Sequence, residues 1–254
     1  MKGQSFMATI NNSRSNTILS GTSGNDSILN GGYWNDSSHE GGNKVTINGN
    51  AGNDYISNYG ETVSIAGGAG ADDISNFEDY VTISGGAGSD RIYAYEEKVT
   101  VIGGAGNDTI RNYENYVTMS GGAGNDKLYG GYGNDKLYGN AGNDFIKGGK
   151  GKDSLWGGAG NDTLYGGDGV DVFTYIANNG TDYIMDYESG ELLRIYNEAG
   201  TKKASFSKSV FSDDTLTLTI QGGGTIVLDD VDSSDRFNIN GTSYKVSGSK
   251  LAKA

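Results

Sequence analysis

Aspartates recur at a fixed interval through the middle of this chain. Asp54, Asp72, Asp90, Asp108, Asp126, Asp144 and Asp162 each stand 18 residues from the next. Asp135, Asp153 and Asp171 repeat the interval on a second track, nine residues out of phase. Nearly every one closes a run of the type Gly-Gly-x-Gly-x-Asp. An ionised carboxylate accepts hydrogen bonds, binds hard cations and serves in acid–base pairs. A regular file of identical acids suits cation binding better than acid–base catalysis.

Composition narrows the chemistry further. The chain has 254 residues with 44 Gly, no Pro, no Cys and a single His. Disulfide staples and thiol chemistry are therefore absent. His39 alone cannot build a typical zinc site or a His-based triad, and no serine has a plausible base, so no catalytic residue is expected. The net charge of −13 argues against nucleic acid and for cations as partners. Hydrophobic residues make up only 35%. High glycine with so few apolar residues usually signals disorder, and the regular spacing argues against that. No apolar run is long enough for a membrane helix, and no N-terminal signal peptide is seen. MKGQSF reads as a leader before a start at Met7-Ala8-Thr9.

The elements that must position the aspartates follow from the repeat itself. The unit is nine residues, and two units complete one coil of 18. One column of turns begins at Gly49, Gly67, Gly85, Gly103, Gly121, Gly139 and Gly157, and a backward step reaches the worn copy GGYWNDSSH at Gly31. The alternate units are of two kinds. At Gly130, Gly148 and Gly166 they repeat the motif. At Glu40, Asn58, Asn76, Ala94 and Asn112 they do not: the aspartate becomes Val45, Val63, Val81, Val99 and Val117. The first six residues of a unit read as a turn, with glycines supplying positive φ. The last three read as a strand with one inward apolar residue: Ile56, Ile74, Ile92, Ile110, Leu128, Leu137, Ile146, Leu155 or Leu164. Each coil then rises about 4.8 Å, the spacing of neighbouring strands. The expected fold is all-β: a right-handed parallel β-roll with a C-terminal antiparallel capping segment.

Stacked carboxylates about 5 Å apart repel by roughly 3 kcal/mol at an effective dielectric near 20. Glycine adds its own ordering entropy. Such a roll should not close unaided. A hard cation between successive coils reverses the sign. Ca²⁺, which takes six to eight oxygens in flexible geometry, fits better than Mg²⁺.

These residues resemble the RTX (repeats-in-toxin) nonapeptide family over roughly Gly21 to Thr174, a repeat associated with Ca²⁺ binding. The resemblance implies one ion between successive turns on the same edge. For the turns at Gly85 and Gly103, it implies carbonyls of Gly86, Gly88, Gly103 and Ala105 with the carboxylates of Asp90 and Asp108. The full long-edge set implied by it is Asn50, Gly52 and Asp54, then Gly67, Gly68, Ala69, Gly70 and Asp72, then Gly85, Gly86, Ala87, Gly88 and Asp90. It continues with Gly103, Gly104, Ala105, Gly106 and Asp108, then Gly121, Gly122, Ala123, Gly124 and Asp126. Gly139, Asn140, Ala141, Gly142 and Asp144 follow, and Gly157, Gly158, Ala159, Gly160 and Asp162 complete it. On the short edge the set is Gly131, Gly133 and Asp135, then Gly148, Gly149, Lys150, Gly151 and Asp153, then Gly166, Asp168 and Asp171. Asp36 and Asp182 are the candidates at the ends. About eight Ca²⁺ ions are implied. The valine half departs from the family pattern, so its edge should be free of ions.

Other files have structural readings first. Tyr59, Phe77, Tyr95 and Tyr113 form an aromatic ladder that supports the ion-free edge, with a sugar- or partner-binding stripe as the alternative. Ser64, Thr82, Thr100 and Thr118 read as an outward file, and Glu78, Glu96 and Glu114 as a solvated acidic column. Past Tyr175 the repeats stop. TLTLTIQGGGTIVLDD reads as one hairpin and RFNINGTSYKV as a second, turning at Asn240-Gly241. Together they would cap the open end of the roll.

The expected organisation is residues 1–20 as leader and N-terminal cap, 21–174 as the roll, and 175–254 as the C-terminal cap. The resemblance implies export by type I secretion with an uncleaved C-terminal signal, for which SGSKLAKA is the candidate. It implies an extracellular or cell-surface protein that folds on meeting calcium. An accessory module of a larger secreted protease, lipase or alginate epimerase, and an adhesin for a surface glycan or protein, are the alternatives.

Overall fold

The computed structural model describes residues 9–12, 14–31, 43–177, 179–197, 199–200 and 203–254. Among these there is no helix; the fold is an all-β parallel solenoid with antiparallel strands at its C-terminus. Two compact units divide the chain, residues 1–127 and 128–254.

In the first unit, two parallel sheets face each other across one core. One contains Ser27–Asn30, Tyr55–Asn58, Asp73–Asn76, Arg91–Ala94 and Thr109–Asn112; the other contains Thr46–Ala51, Ser64–Ala69, Thr82–Ala87, Thr100–Ala105 and Thr118–Ala123. Neighbours pair in the register that the repeat demands, as with Ile74 opposite Ile92 and Ile83 opposite Val101. The inward isoleucines are fully buried, and so are the valines that replace aspartate. Each such side chain contributes roughly 1.5–3 kcal/mol by leaving water.

The strands are longer than the three residues expected. Lys136–Ala141 and Ser154–Ala159 each run on through the first three positions of the next unit, leaving only a three-residue bend. The glycines explain this. Gly86 pairs with Gly104 inside the ladder at a φ of 115°, and a Cβ there would collide with the Gly68 carbonyl oxygen. Glycine lets pairing continue where any other side chain would force the coils apart.

The lowest coils also differ from the 18-residue step. Ser27–Asn30 pairs with Tyr55–Asn58 at an offset of 28 residues. The unit below Gly49 is thus GTSGNDSIL, starting at Gly21, and the extra residues fall between Gly31 and the next strand. Gly31 lies beneath the Tyr59 ring and is not a motif turn. Trp34, Asp36 and His39 lie outside the described residues.

The ion-free edge is held by stacking and by amides. Rings of Tyr59, Phe77, Tyr95 and Tyr113 follow one another at 4.6, 4.7 and 5.0 Å, within 7° of parallel. Their faces are spent on each other, which favours the supporting role. Behind them runs a buried asparagine ladder. Asn12 donates to Asn30 at 3.0 Å, Asn30 to Asn58 at 2.7 Å and Asn58 to Asn76 at 2.7 Å. An amide both donates and accepts, so the chain of bonds satisfies itself. Ser64, Thr82 and Thr100 point outward, as expected.

The second unit continues the same architecture and ends in the cap. Thr215–Ile220 and Thr225–Leu228 form the first expected hairpin, burying Leu216, Leu218, Ile220, Ile226 and Leu228. Arg236–Ile239 and Thr242–Ser247 form the second, with positive φ at both Asn240 and Gly241, as a two-residue hairpin turn requires. Two strands absent from the expectation, Phe206–Ser212 and Lys250–Lys253, flank the hairpins. The outermost pair is tied by Leu251 N–H donating to Ser209 Oγ at 3.0 Å, so neither sheet edge is left bare there.

The asparagine ladder breaks at Ala94, which is fully buried between Asn76 and Asn112. Asn112 Oδ1 is left buried without a donor. Ala94→Asn should restore both bonds and stabilise the protein by about 1–2 kcal/mol. Thermal unfolding of the variant checks this; an unchanged or lower midpoint would show that the gap cannot take the amide.

Candidate metal centre: the aspartate ladders

The turn aspartates are aligned by the backbone of their neighbours. In the first unit, Asp26 N–H donates to Asp54 Oδ1 at 2.7 Å. The amides of Asp54, Asp72, Asp90 and Asp108 donate in turn to Asp72, Asp90, Asp108 and Asp126, each at 2.8 Å. In the second unit, Asp144 donates to Asp162 at 2.8 Å and Asp162 to Asp182 at 3.2 Å. On its other edge Asp135 donates to Asp153 at 2.8 Å and Asp153 to Asp171 at 2.7 Å. All of these side chains are buried. Within the second unit Asp182 thus follows Asp162 in the file.

One carboxylate oxygen is used in each contact and the other is not. Oδ2 of Asp54, Asp72, Asp90, Asp108, Asp153, Asp162 and Asp171 is buried with no hydrogen-bond donor. Beside each lies the first glycine of its own turn. A Cβ at Gly85 would run into Asp90 Oδ2 and, at 2.7 Å, the Gly103 carbonyl oxygen. A Cβ at Gly148 would meet Asp153 Oδ2 and, at 2.7 Å, the Gly166 carbonyl oxygen. Carboxylate and carbonyl oxygens therefore crowd these turns, and no donor bonds Oδ2 of the aspartates just named. This is an oxygen-only donor set drawn from two coils, the kind that a large hard cation takes. No three acidic or histidine side chains converge on one point among the described residues. Backbone carbonyls must thus supply most of any coordination shell, as the resemblance implied.

Positions two and four of the turn serve the same end. Gly88 and Gly151 have φ of 128° and 130°, and Asn50 and Asn140 take φ of 76° and 77° where glycine is replaced. Asn is among the few residues that tolerate this region. The third position faces away: Lys150 is exposed and lies over the Tyr132 ring at 5.4 Å, and Asp168 is exposed. Only their main chains face the turn.

Two features escaped the sequence reading. Asp26 is the lowest member of the ladder, and its Oδ2 is taken by the backbone and hydroxyl of Thr22, the latter at 3.0 Å. The ladder is closed below by protein donors. The motif at Gly21 could have revealed it had a 28-residue step been allowed. Outside the aspartates runs a second file, in which an asparagine before an aspartate braces the next coil: Asn53 Oδ1 accepts from Ala71 N–H at 2.8 Å, and Asn143 Oδ1 from Asn161 N–H at 2.7 Å.

Burial without a counter-charge raises these acids. Desolvation pushes Asp54, Asp72 and Asp90 to about 6 and Asp153 to about 7; amide hydrogen bonds oppose it, and the neighbouring carboxylate adds to it. Asp108, Asp162 and Asp171 are raised for the same leading reason. Asp182, with Asp162 against it, reaches about 8.

The sequence profile of the RTX calcium-binding nonapeptide repeat matches this chain in four copies, at residues 44–58, 82–110, 118–146 and 138–173. Among solved structures, the chain is similar to the extracellular lipase LipA from Serratia marcescens at 18% identity and a TM-score of 0.32, covering 86% of this chain and 38% of that one. The chain thus spans well under half of that lipase. No curated protein matches it.

The raised acids set a pH dependence for the metal-free chain. A folded pKa above the unfolded value means stability that is complete below the usual aspartate value of 3.8 and is lost as pH rises through about 6 to 7. In EDTA, the folded fraction followed by circular dichroism should therefore fall between pH ~4 and pH ~8. A folded fraction that rises over that range would contradict the buried, donor-free carboxylates.

Proposed function

From the premise that this chain carries RTX calcium-binding nonapeptide repeats, we propose that it is a non-catalytic, secreted calcium-binding protein whose β-roll folds on binding about eight Ca²⁺ ions after type I secretion. The observation behind this reading is the file of buried, donor-free Oδ2 atoms at Asp54, Asp72, Asp90, Asp108, Asp153, Asp162 and Asp171. Calcium, when bound, supplies the positive charge and many-oxygen coordination that this edge lacks.

The protein's own residues do the rest. Oδ1 of each aspartate anchors the coil before it, which holds Oδ2 against the carbonyls of its own edge. The valine edge, with its rings and asparagines, closes without ions. In a calcium-poor cytosol the carboxylates would repel, and the chain would stay unfolded enough to thread through a secretion channel. In calcium-rich surroundings, binding free energy becomes folding free energy. Calcium and the secretion apparatus are then its first partners. Among the described residues no helix is long and apolar enough to cross a membrane.

Circular dichroism during calcium titration of EDTA-treated protein tests the reading, with Mg²⁺ in parallel. The expected result is a cooperative coil-to-β transition with Ca²⁺ only. A chain fully β-structured in EDTA at neutral pH would remove the secretion switch. Asp90→Asn should act with opposite signs in the two states. The amide keeps the acceptor for Asp72 N–H and brings a donor beside the Gly103 carbonyl, so the metal-free fold gains stability. The calcium midpoint should rise by about tenfold, equivalent to ~1.4 kcal/mol.

A further inference from the structure

The nonapeptide motif ends at Thr174, but the coils do not. Leu192–Tyr196 pairs in parallel with Val172–Ile176, with Leu192 opposite Val172. Leu192 N–H bonds the Asp171 carbonyl at 2.9 Å, as Val172 N–H bonds that of Asp153 at 2.9 Å one coil below. This register sets Glu191 directly above Asp171, in the place that Asp171, Asp153 and Asp135 take in the three coils below.

Glu191 is 1% exposed. Its Oε2 accepts from Glu188 N–H at 2.8 Å, while Oε1 is buried with no donor. Asp171 Oδ2 is in the same condition. The two carboxyl groups lie within hydrogen-bonding reach, acceptor facing acceptor. Asp186 lies over the same turn but is engaged elsewhere, its two oxygens accepting from the amides of Gly166 and Gly167 at 2.8 and 2.9 Å. No lysine or arginine pairs with any of the three among the described residues. The Glu191 main chain is anchored through Tyr187, whose hydroxyl donates to the Glu191 carbonyl at 2.7 Å and accepts from Asn238 N–H at 3.2 Å.

Two buried carboxyl groups in contact are stable only if they share a proton or hold a cation. We propose that Asp171 and Glu191 hold a further calcium ion, one coil beyond the last nonapeptide, with Glu191 as a ligand in the aspartate's place. The lower coil still offers its complete Gly166–Asp171 turn. The upper coil has lost the glycine motif, and a side chain one methylene longer reaches the same edge. The ion would join roll to cap, since Glu191 is tied through Tyr187 to the cap strand Arg236–Ile239. This inference rests on the calcium reading of the array.

Equilibrium dialysis of the full chain against saturating radioactive calcium, counting ions bound per chain, separates the two ideas. Glu191→Gln, nearly isosteric and still able to accept from Glu188 N–H, should bind one ion fewer than the unaltered protein. Glu191→Asp, which restores the residue of the repeat, should bind the same number. An unaltered count in Glu191→Gln overturns the site and leaves the array reading intact. No calcium bound by the unaltered protein overturns both. If Glu191→Gln fails to fold in calcium, Glu191→Asp decides: a full count supports the ligand role, and a missing ion or a failed fold overturns it.

Discussion

The rest of the structure depends on one constraint: carboxylates buried along the coils, of which Asp54, Asp72, Asp90 and Asp108 have one oxygen bonded to the backbone and the other without a donor. Such a file cannot satisfy itself, because an ionised carboxylate has no donor to pass along. The glycines at the head of each turn, the positive φ angles and the carbonyls gathered on the edge all bring further acceptors to the same line. Protonation or a cation must complete it. That is the physical basis for linking this fold to a hard, oxygen-binding cation.

The first unit shows the alternative within the same solenoid. On its valine edge valine takes the aspartate position, and asparagines at the head of the units form the polar file. An amide gives and receives, so Asn12 through Asn76 form a closed relay with no ion. Stacked rings and buried valines supply the apolar contact that glycine turns cannot. One edge is therefore satisfied by contacts that the chain carries itself, and the other keeps buried carboxylate oxygens without donors.

The ends of the files are handled differently from their middles. Thr22 closes the lower end with a hydroxyl and an amide on Asp26. At the upper end the acids run on into the cap as Asp182 and Glu191, each buried against the last motif aspartate of its edge. The cap thus meets the roll through its most acidic, least compensated groups. Beyond them, antiparallel hairpins turn both sheets away from further growth.

The sequence by itself determined the period, the inward files, the two aspartate tracks, the valine half and both hairpins. Each is a local statement repeated many times: an apolar residue at position eight, an aspartate at position six, Asn-Gly between two alternating strands. Repetition makes register legible, since one slip would misplace every side chain. What only the tertiary structure decided concerns partners not at a fixed step. The 28-residue first coil placed Asp26, not a residue 18 before Asp54, under the ladder, because an insertion changes spacing without changing pairing. The asparagine relay was invisible until stacking showed one amide donating to the next. Glu191 carried no motif at all. Its role came from the register of a strand past the repeats, which only the folded backbone could fix.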